Sequence, residues 1–503
     1  MQSSEPRSKN PRGSQPPSAS SQGIPRVASV PLGNHAGQAL LSSFLRRARQ
    51  AIGFRVRTLG LGPALRILGL MAWIATDWLL ARIRGAFLPL PDREALRDAA
   101  QDRAVLRTVA LLGQLKGAFV KAGQFAALRH DLISARSASI LASLRDRVPA
   151  LSLQQLEPLI LRELGSEKYE QIADIEAIPL GSASIAQAHR ARLSDGSEVV
   201  IKIQYPWIEE ATPRDLSLLR TLARLGAGWL RNRTVSVDIE QLFDEFSEGL
   251  MTELDFREEA RSAEAIAGNL ASVPGVVVPK IYPALSSKRI LTMSYQPCVP
   301  IHDAQTLKQL GVRPSDLLTR LAHAYAKQVF VDGLFHADPH PGNLFVLDTP
   351  DAEENPKVLF VDFGLCRRLS LELKTAMRKG IYAVLQRDPE ALILQMKEME
   401  MIADGSEEGV RVAVLRMFET MQSSAAGGNP LDTSSGGVLV LKDEAKRLLQ
   451  NTPGVQLPND LLLYAKTLSY LFALGESLDP KLDLMKITLP YLLRFLAAQD
   501  SPG

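Results

Sequence analysis

The amino-acid sequence predicts an α+β protein of two lobes, a small β-rich one followed by a larger helical one, behind a helical N-terminal extension. Three observations predict it. An alternating run around a Ser194-Asp195-Gly196 turn, within Ile178 to Gln204, has the two-residue period of a β-hairpin. Helical patterning surrounds that run, over 98–170, 207–270 and nearly everything after Leu307. The exception is 334–364, where short apolar runs bracket a loop punctuated by Pro339, Pro341 and Gly342. With 503 residues and 46% apolar side chains, the chain is long enough to build both lobes.

Residues 1–36 are rich in Ser, Pro, Gly and basic groups, with too few large apolar side chains to offset the entropy of ordering, and are expected to be a disordered tail. Residues 37–95 read as one or two basic amphipathic helices, with Trp73, Ile74, Trp78 and Leu79 among Arg66, Arg82 and Arg84. The charge-free run Ile67 to Thr76 falls short of the roughly 18 apolar residues of a spanning helix, so docking on a membrane surface is expected rather than crossing. The alternative is an apolar face packed on the protein's own core. A helical extension over 96–175 leads into the small lobe, 176–300, which carries a helical insert and further strand signals at Val276 to Val278 and Arg289 to Met293. The helical lobe covers 301–495, with a low-complexity, exposed loop expected at 423–438.

The net charge of +3 conceals an asymmetry: residues 1–90 hold twelve Lys or Arg against Glu5 and Asp77, and the rest of the chain is net acidic. A basic, apolar-rich segment suits anionic lipid. Clustered cations interleaved with aromatics are not seen, so nucleic acid is not an expected partner. Cys298 and Cys366 are the only cysteines and lie far apart, which indicates neither a disulfide framework nor a zinc site and points to a reducing compartment.

The chemistry concentrates in FHADPHPGNLFVLD, Phe335 to Asp348, and VLFVDFGL, Val358 to Leu365. Asp338 and Asn343 reproduce the D-x-x-x-x-N interval of a kinase catalytic loop, and Asp362-Phe363-Gly364 follows an apolar strand. Asp338 suits the orientation or deprotonation of an attacking hydroxyl or water. Asn343 and Asp362 offer oxygen ligands to a hard Mg²⁺ bridging the phosphates of ATP. The structural alternative for Asp338 and Asn343 is turn capping, while His336 and His340 read as packing beside the loop rather than as metal ligands.

Upstream, VVIK ends on Lys202, which matches a lysine that neutralises nucleotide phosphates. GSASIA, Gly181 to Ala186, stands where a phosphate-cradling glycine loop would lie, with Gly181, Ser182, Ala183 and Ser184 as the nucleotide-facing stretch. Ala183 and Ala186 take the place of two glycines and limit how closely the backbone can approach phosphate. ELDFREEA offers Glu253 and Glu259, six residues apart and so not on one helical stripe, with Glu259 preferred as the partner of Lys202.

Taken in order over roughly 110–480, KAGQ (Lys121 to Gln124), PLGSASIAQAH, VVIK, ELDF with a following EA, FHADPHPGN and DFG resemble the UbiB/AarF family of atypical kinase-like ATPases, to which coenzyme Q biosynthesis proteins belong. The resemblance implies a bilobal protein-kinase-like fold whose KxGQ helix crosses the active site where a protein substrate would dock. Lys121 and Gln124 would enter the nucleotide pocket, Lys121 would pair with Glu253, and Met293 would join the nucleotide-binding set. ATP and Mg²⁺ are the implied cofactors. The implied partners are an anionic membrane lipid or isoprenoid quinone intermediate, together with quinone-biosynthesis proteins. The implied location is cytoplasmic and peripheral to a membrane, bacterial by the Ala-, Leu- and Arg-rich texture, with an organelle as the alternative.

The sequence departs from the family pattern at Gly181 and Ser182, where alanines are usual, at Ser262 in place of Asn and at Ser294 in place of Glu. Gly181 moves the loop toward a glycine-rich one and leaves room for more phosphotransfer than the family norm. Two other readings compete: a protein kinase, and a nucleotide-gated scaffold without catalysis. Against the first, LSLELKTAMRKGIYAVLQ reads as helix with no extended activation segment, and Asp388-Pro389 reads as a helix start.

Overall fold

The hairpin expected around Ser194-Asp195-Gly196 forms the middle of an antiparallel sheet. The computed structural model describes residues 62–87, 89–128, 140–141, 150–230, 239–349, 355–423, 444, 447–448, 452, 454–455 and 457–498. The tail 1–36, the basic segment before residue 62 and the loop 424–438 lie outside the described residues.

Along the chain, α1 (Gly62–Gly85), α2 (Leu90–Leu115), α3 (Gly117–Leu128), α4 (Leu153–Leu164) and a single turn, α5 (Ser166–Tyr169), precede the sheet. Strands β1 (Ile172–Ile175), β2 (Gly181–Ser182), β3 (Ala186–Leu193) and β4 (Glu198–Gln204) follow, then α6 (Ile208–Leu230), α7 (Ile239–Glu253) and α8 (Phe256–Leu270). After β5 (Val276–Val277) and β6 (Ile290–Ser294), the sheet order is β1-β3-β4-β6, with β2 on β3. The sheet thus begins at Ile172, ahead of the boundary at 176 read from the sequence.

Alternation along β4 decides which side chains face the cleft. Val199, Ile201 and Ile203 point to the back, where they pack with Ala191, Leu193 and Ile290 against Leu156, Leu159, Ile160 and Leu164 of α4. Lys202 is on the other face, in register with Ala188 and Leu291. α4 starts at Ser152 with a capping box closed by Gln155, and its apolar stripe covers the back of the sheet.

A second sheet joins the lobes. β7 (Cys298–Pro300), β9 (Leu344–Leu347) and β10 (Val358–Phe360) combine with β5 in the order β5-β10-β9-β7, where β5 runs parallel to β10. The sequence boundary at residue 300 therefore is not a clean cut, because β5 and β7 belong to the sheet that carries the candidate site. β8 (Leu334–His336) and β11 (Cys366–Arg368) form a two-stranded ladder with Cys366 opposite His336. Between β7 and β8 come α9 (Ala304–Gln309) and α10 (Pro314–Ala326), the latter continuing into a π-helical turn over Lys327–Asp332. The lobe is completed by α11 (Leu371–Gln386), α12 (Pro389–Glu398), α13 (Glu407–Ser423), α14 (Asn459–Leu478) and α15 (Leu484–Ala497). The main core runs through both lobes, from Tyr205, Phe256 and Leu291 to Leu321, Tyr325 and Phe360.

Helix α1 corrects one expectation. Only Ile67, Ala81 and Gly85 of its 24 residues are buried, while Leu65, Leu68, Met71, Trp78, Leu79 and Ile83 are exposed, so packing of its apolar face on the protein's own core is overturned. By length and composition α1 could also cross a membrane, with a mean hydropathy of 1.5 over its best window. The count of charge-free residues hid this because Asp77 divides the run. That carboxylate is paired with Arg103 of α2 at 2.9 Å, and Arg107 lies 3.3 Å over the ring of Trp73.

Candidate active site

The site begins at β4, which sets Lys202 on the cleft face. Its Nζ donates to both oxygens of Glu259, at 2.8 and 2.9 Å, and to Asp362 Oδ1 at 3.0 Å. α8 delivers Glu259 because Asp255 caps its first turn, accepting from the backbone N–H of Arg257, and because Phe256, Ala263 and Ile266 seat the same face in the core. Glu259 is 4% exposed, so its only route to a stable charge is such a pairing. Burial opposes the Lys202 ammonium, but Asp362 and Glu259 outweigh burial and hold its pKa above the usual lysine value. Lys202 in turn holds the Asp362 carboxyl well below the usual carboxylate range against the effect of burial, with Lys121 and His336 adding to it. Burial pushes the Glu259 carboxyl up, with Lys202 pulling the other way.

Lys121 and Glu253 form a second pair, at 2.5 Å. α3 holds Lys121 there by packing on α6 and α7, with Phe125 against Phe246 at 5.4 Å. Gln124 is half-buried one turn away on the same helix. Of the two glutamates in ELDFREEA, Glu259 thus meets Lys202 and Glu253 meets Lys121.

The loop after β8 is stitched from within. Asn343 Nδ2 donates to the Asp338 carbonyl at 3.1 Å and to Asp338 Oδ2 at 3.2 Å. Gly342 N–H donates to His340 Nδ1 at 3.0 Å, and a Cβ at 342 would lie 3.2 Å from that nitrogen. His336 Nε2 lies 3.0 Å from the Asp362 carbonyl and 3.1 Å from that of Val361, so its N–H ties the loop strand to the DFG segment. Asp362 itself has φ 61° and ψ 74°, a left-handed conformation that a residue with a Cβ adopts at a cost and that the surrounding contacts hold in place.

Asn343 and Asp362 fit a magnesium ion by donor chemistry. The Asn343 amide nitrogen is spent on Asp338, which leaves its oxygen as the donor, and Asp362 retains a second oxygen beyond the one facing Lys202. Mg²⁺ is usually held by one or two such protein oxygens, with phosphates and water completing the octahedron. Among the described residues no group of three or more His, Cys, Asp and Glu forms a closed cage.

The stretch Gly181–Ser184 forms β2 and the turn into β3. Tyr205 grips it: the phenol donates to the Ala183 carbonyl at 2.9 Å and so accepts from Ser182 Oγ at 2.8 Å. The Ser184 carbonyl accepts from the N–H of Gly117 at 2.9 Å, at the break between α2 and α3. Gly117 has φ +56°, and a Cβ there would meet the tip of the Ile208 side chain at 2.7 Å, so glycine is favoured. Lys116 covers the Tyr205 ring at 3.9 Å, and Tyr205 stacks on Trp207. Met293 is on the sheet face of Lys202, opposite Val200, buried in the core and without a polar role.

Sequence reasoning missed two contributors. One is the cluster of Lys116, Tyr205 and Trp207. The other is Lys466 of α14, whose Nζ is 3.1 Å from Asp338 Oδ1. Its only trace in the sequence is that Lys466 is the one basic residue among the 20 of that helix, which by itself points to no partner.

A family model for the ABC1 atypical kinase-like domain matches residues 143–396, a span that holds Lys202, Glu259, Asp338, Asn343 and Asp362. The chain belongs to this family. A probable protein kinase UbiB from Aeromonas hydrophila is 32% identical over 390 residues, covering 76% of this chain and 69% of that protein. An uncharacterised Synechocystis protein is 30% identical over 385 residues, and the chain spans 65% of its length. A Mycobacterium tuberculosis protein solved in complex with erythromycin overlays with a TM-score of 0.42 at 23% identity, covering 77% of this chain and 98% of that one. As an ABC1-family chain the protein has a bilobal, kinase-like α+β architecture. Lys121 and Lys466 lie outside the matched span, and each forms an ion pair with a carboxylate inside it.

Proposed function

We propose that this protein is a Mg²⁺-dependent, ATP-using enzyme that transfers the γ-phosphoryl group to water or to a hydroxyl, working at a membrane in support of isoprenoid quinone synthesis. The observation that carries the enzymatic part is the joint placement of Lys202 on Glu259 and Asp362, with Asp338 and Asn343 on the neighbouring loop. In the reaction, the acceptor oxygen bonds to the γ-phosphorus, the bond to the β,γ-bridging oxygen breaks, and ADP leaves. Asp338 orients the acceptor and takes its proton, and Lys202 binds and neutralises nucleotide phosphates. Bound Mg²⁺, held by Asn343 and Asp362, would supply charge neutralisation on the phosphates.

The quinone and membrane parts rest on family likeness and on the exposed apolar side chains of α1. A protein-kinase reading is favoured less because Leu371 begins α11 only seven residues after Gly364, capped by Ser370, which leaves no extended platform for a peptide. Asp388 caps α12, accepting from the N–H of Ala391 at 3.0 Å, as its Asp-Pro sequence predicts. The decisive experiment is Mg²⁺-dependent ATP hydrolysis with and without anionic liposomes, with Asp338→Asn in parallel. Hydrolysis that rises with liposomes and falls by about a hundredfold or more in the variant supports the reading. ATP binding without hydrolysis in either condition would move the assignment to a protein kinase or to a nucleotide-gated scaffold.

A further inference from the structure

We infer that Lys466, on the C-terminal helix α14, is a positioning residue for phosphoryl transfer that acts by fixing the carboxylate of Asp338. The inference rests on the enzymatic reading above. Asp338 comes from the loop after β8, and Lys466 reaches it from 128 residues further along the chain. Its Nζ lies 3.1 Å from Oδ1, while Asn343 holds Oδ2 at 3.2 Å, so both carboxylate oxygens are engaged from different sides. The lysine side chain is 10% exposed and that of Asp338 is 18% exposed. An ammonium so far removed from water is kept only by a strong partner, and a charge-assisted bond between two such groups is strong and directional.

The helix is built to hold the pair in place. Tyr470, one turn beyond Lys466, sets its ring against His340 at 6.3 Å and 82°, and the Lys466 ammonium lies 5.7 Å over the same ring. Tyr464 meets Phe335 edge-on at 6.2 Å, and Leu463 packs with Phe335 and Ala337. Asp460 at the start of the helix lies 3.8 Å from Arg367 of β11. One helix therefore touches β8, the catalytic loop and the segment after the DFG triplet. A carboxylate that must meet an incoming hydroxyl or water in one geometry gains from such fixation, because small misplacements of a reacting group cost large factors in rate.

The test compares purified wild type, Lys466→Met and Lys466→Arg, and then repeats Lys466→Met in an Asp338→Asn background, reading kcat and KM for ATP together with the melting temperature. Lys466→Met is expected to lower kcat by about tenfold to a hundredfold while KM changes less than about threefold. Lys466→Arg is expected to recover most of the loss, since the charge and a donor remain. In the Asp338→Asn background the same substitution is expected to change residual turnover less than about twofold, because its route to the chemistry is gone. A packing role would give another pattern, with a lowered melting temperature, a raised KM and no recovery by arginine, and would overturn the inference. So would an unchanged kcat in Lys466→Met beside an active wild type, a result that leaves the enzymatic reading standing. A wild type that binds ATP and never turns it over defeats the enzymatic reading first, and the inference falls with it.

Discussion

Lys202 and Glu259 are 57 positions apart in sequence, and the ammonium of the first sits within 2.9 Å of both oxygens of the second. The pair closes β4 onto α8 and is inseparable from the core beneath it, where the Phe256 ring lies 5.2 Å from the same ammonium. Removing one partner from such a pair leaves a buried charge, while removing both need not.

Lys202→Met should therefore destabilise the protein by roughly 3–5 kcal/mol, because Glu259 loses the charge that justifies its burial. The double variant Lys202→Met with Glu259→Leu should recover at least half of that loss. Urea unfolding of the three proteins checks it. A double variant no more stable than Lys202→Met would mean that the carboxylate had found another partner.

The turn at Gly181 gives a prediction of opposite sign. Gly181 does not adopt positive φ, and a Cβ added there meets nothing within 4 Å. The difference between the glycine here and an alanine thus lies in backbone freedom rather than in space. Gly181→Ala should stabilise the fold by about 0.4–1 kcal/mol, through the entropy of the unfolded chain. A destabilised variant in the same unfolding assay would show that the folded backbone at residue 181 disfavours a Cβ despite the open space around it.

Gln187 fastens the same loop from behind. Its amide oxygen accepts from the Leu151 N–H at 2.8 Å, and its nitrogen donates to the Leu151 carbonyl at 2.9 Å. That nitrogen also lies 2.8 Å from His189 Nε2, whose other nitrogen is 2.7 Å from the Glu176 carbonyl; the carbonyl requires the proton on Nδ1, so Nε2 accepts. Gln187→Leu would strip two backbone groups and the histidine of a partner at a buried position. It should cost about 1–3 kcal/mol and raise the KM for ATP more than it lowers kcat. A fall in melting temperature with unchanged KM would confine Gln187 to stability.

Much of the site was legible because its parts are local. The interval from Asp338 to Asn343 is set within one loop, the triplet at Asp362 follows its own strand, and the alternation of EVVIKIQ places Lys202 opposite Ile201 and Ile203 without knowledge of the rest. The two glutamates could be named from the helix, and burial distinguishes them, with Glu259 at 4% and Glu253 at 16%. What the sequence concealed depends on distant segments meeting. β5 finds β10 across some eighty residues, Tyr205 meets the carbonyl of Ala183 only once β3 and β4 have paired, and Lys466 looks like a stray charge until α14 is laid on the catalytic loop. The exposure of Leu65, Leu68 and Trp78 on α1 was not legible either, since an apolar helix face serves a core or a surface equally well on paper.

The proposed membrane role gives α1 a testable disposition, argued from its contacts with α2. Asp77 and Trp73 are both held by arginines of α2, so the helix is fastened to a charged neighbour along its middle and is better suited to lying in the membrane surface than to threading through it. Leu65 and Ile83 are both exposed and lie 18 positions apart, or about 27 Å along the helix axis, close to the thickness of a bilayer core. With the native cysteines replaced, Leu65→Cys and Ile83→Cys should each react from the same side of a sealed vesicle with an impermeant maleimide. Anionic lipid should protect both partially and equally. Labelling of the two positions from opposite sides would establish a spanning helix, and it would require Asp77 and Arg103 to enter the bilayer as a neutralised pair.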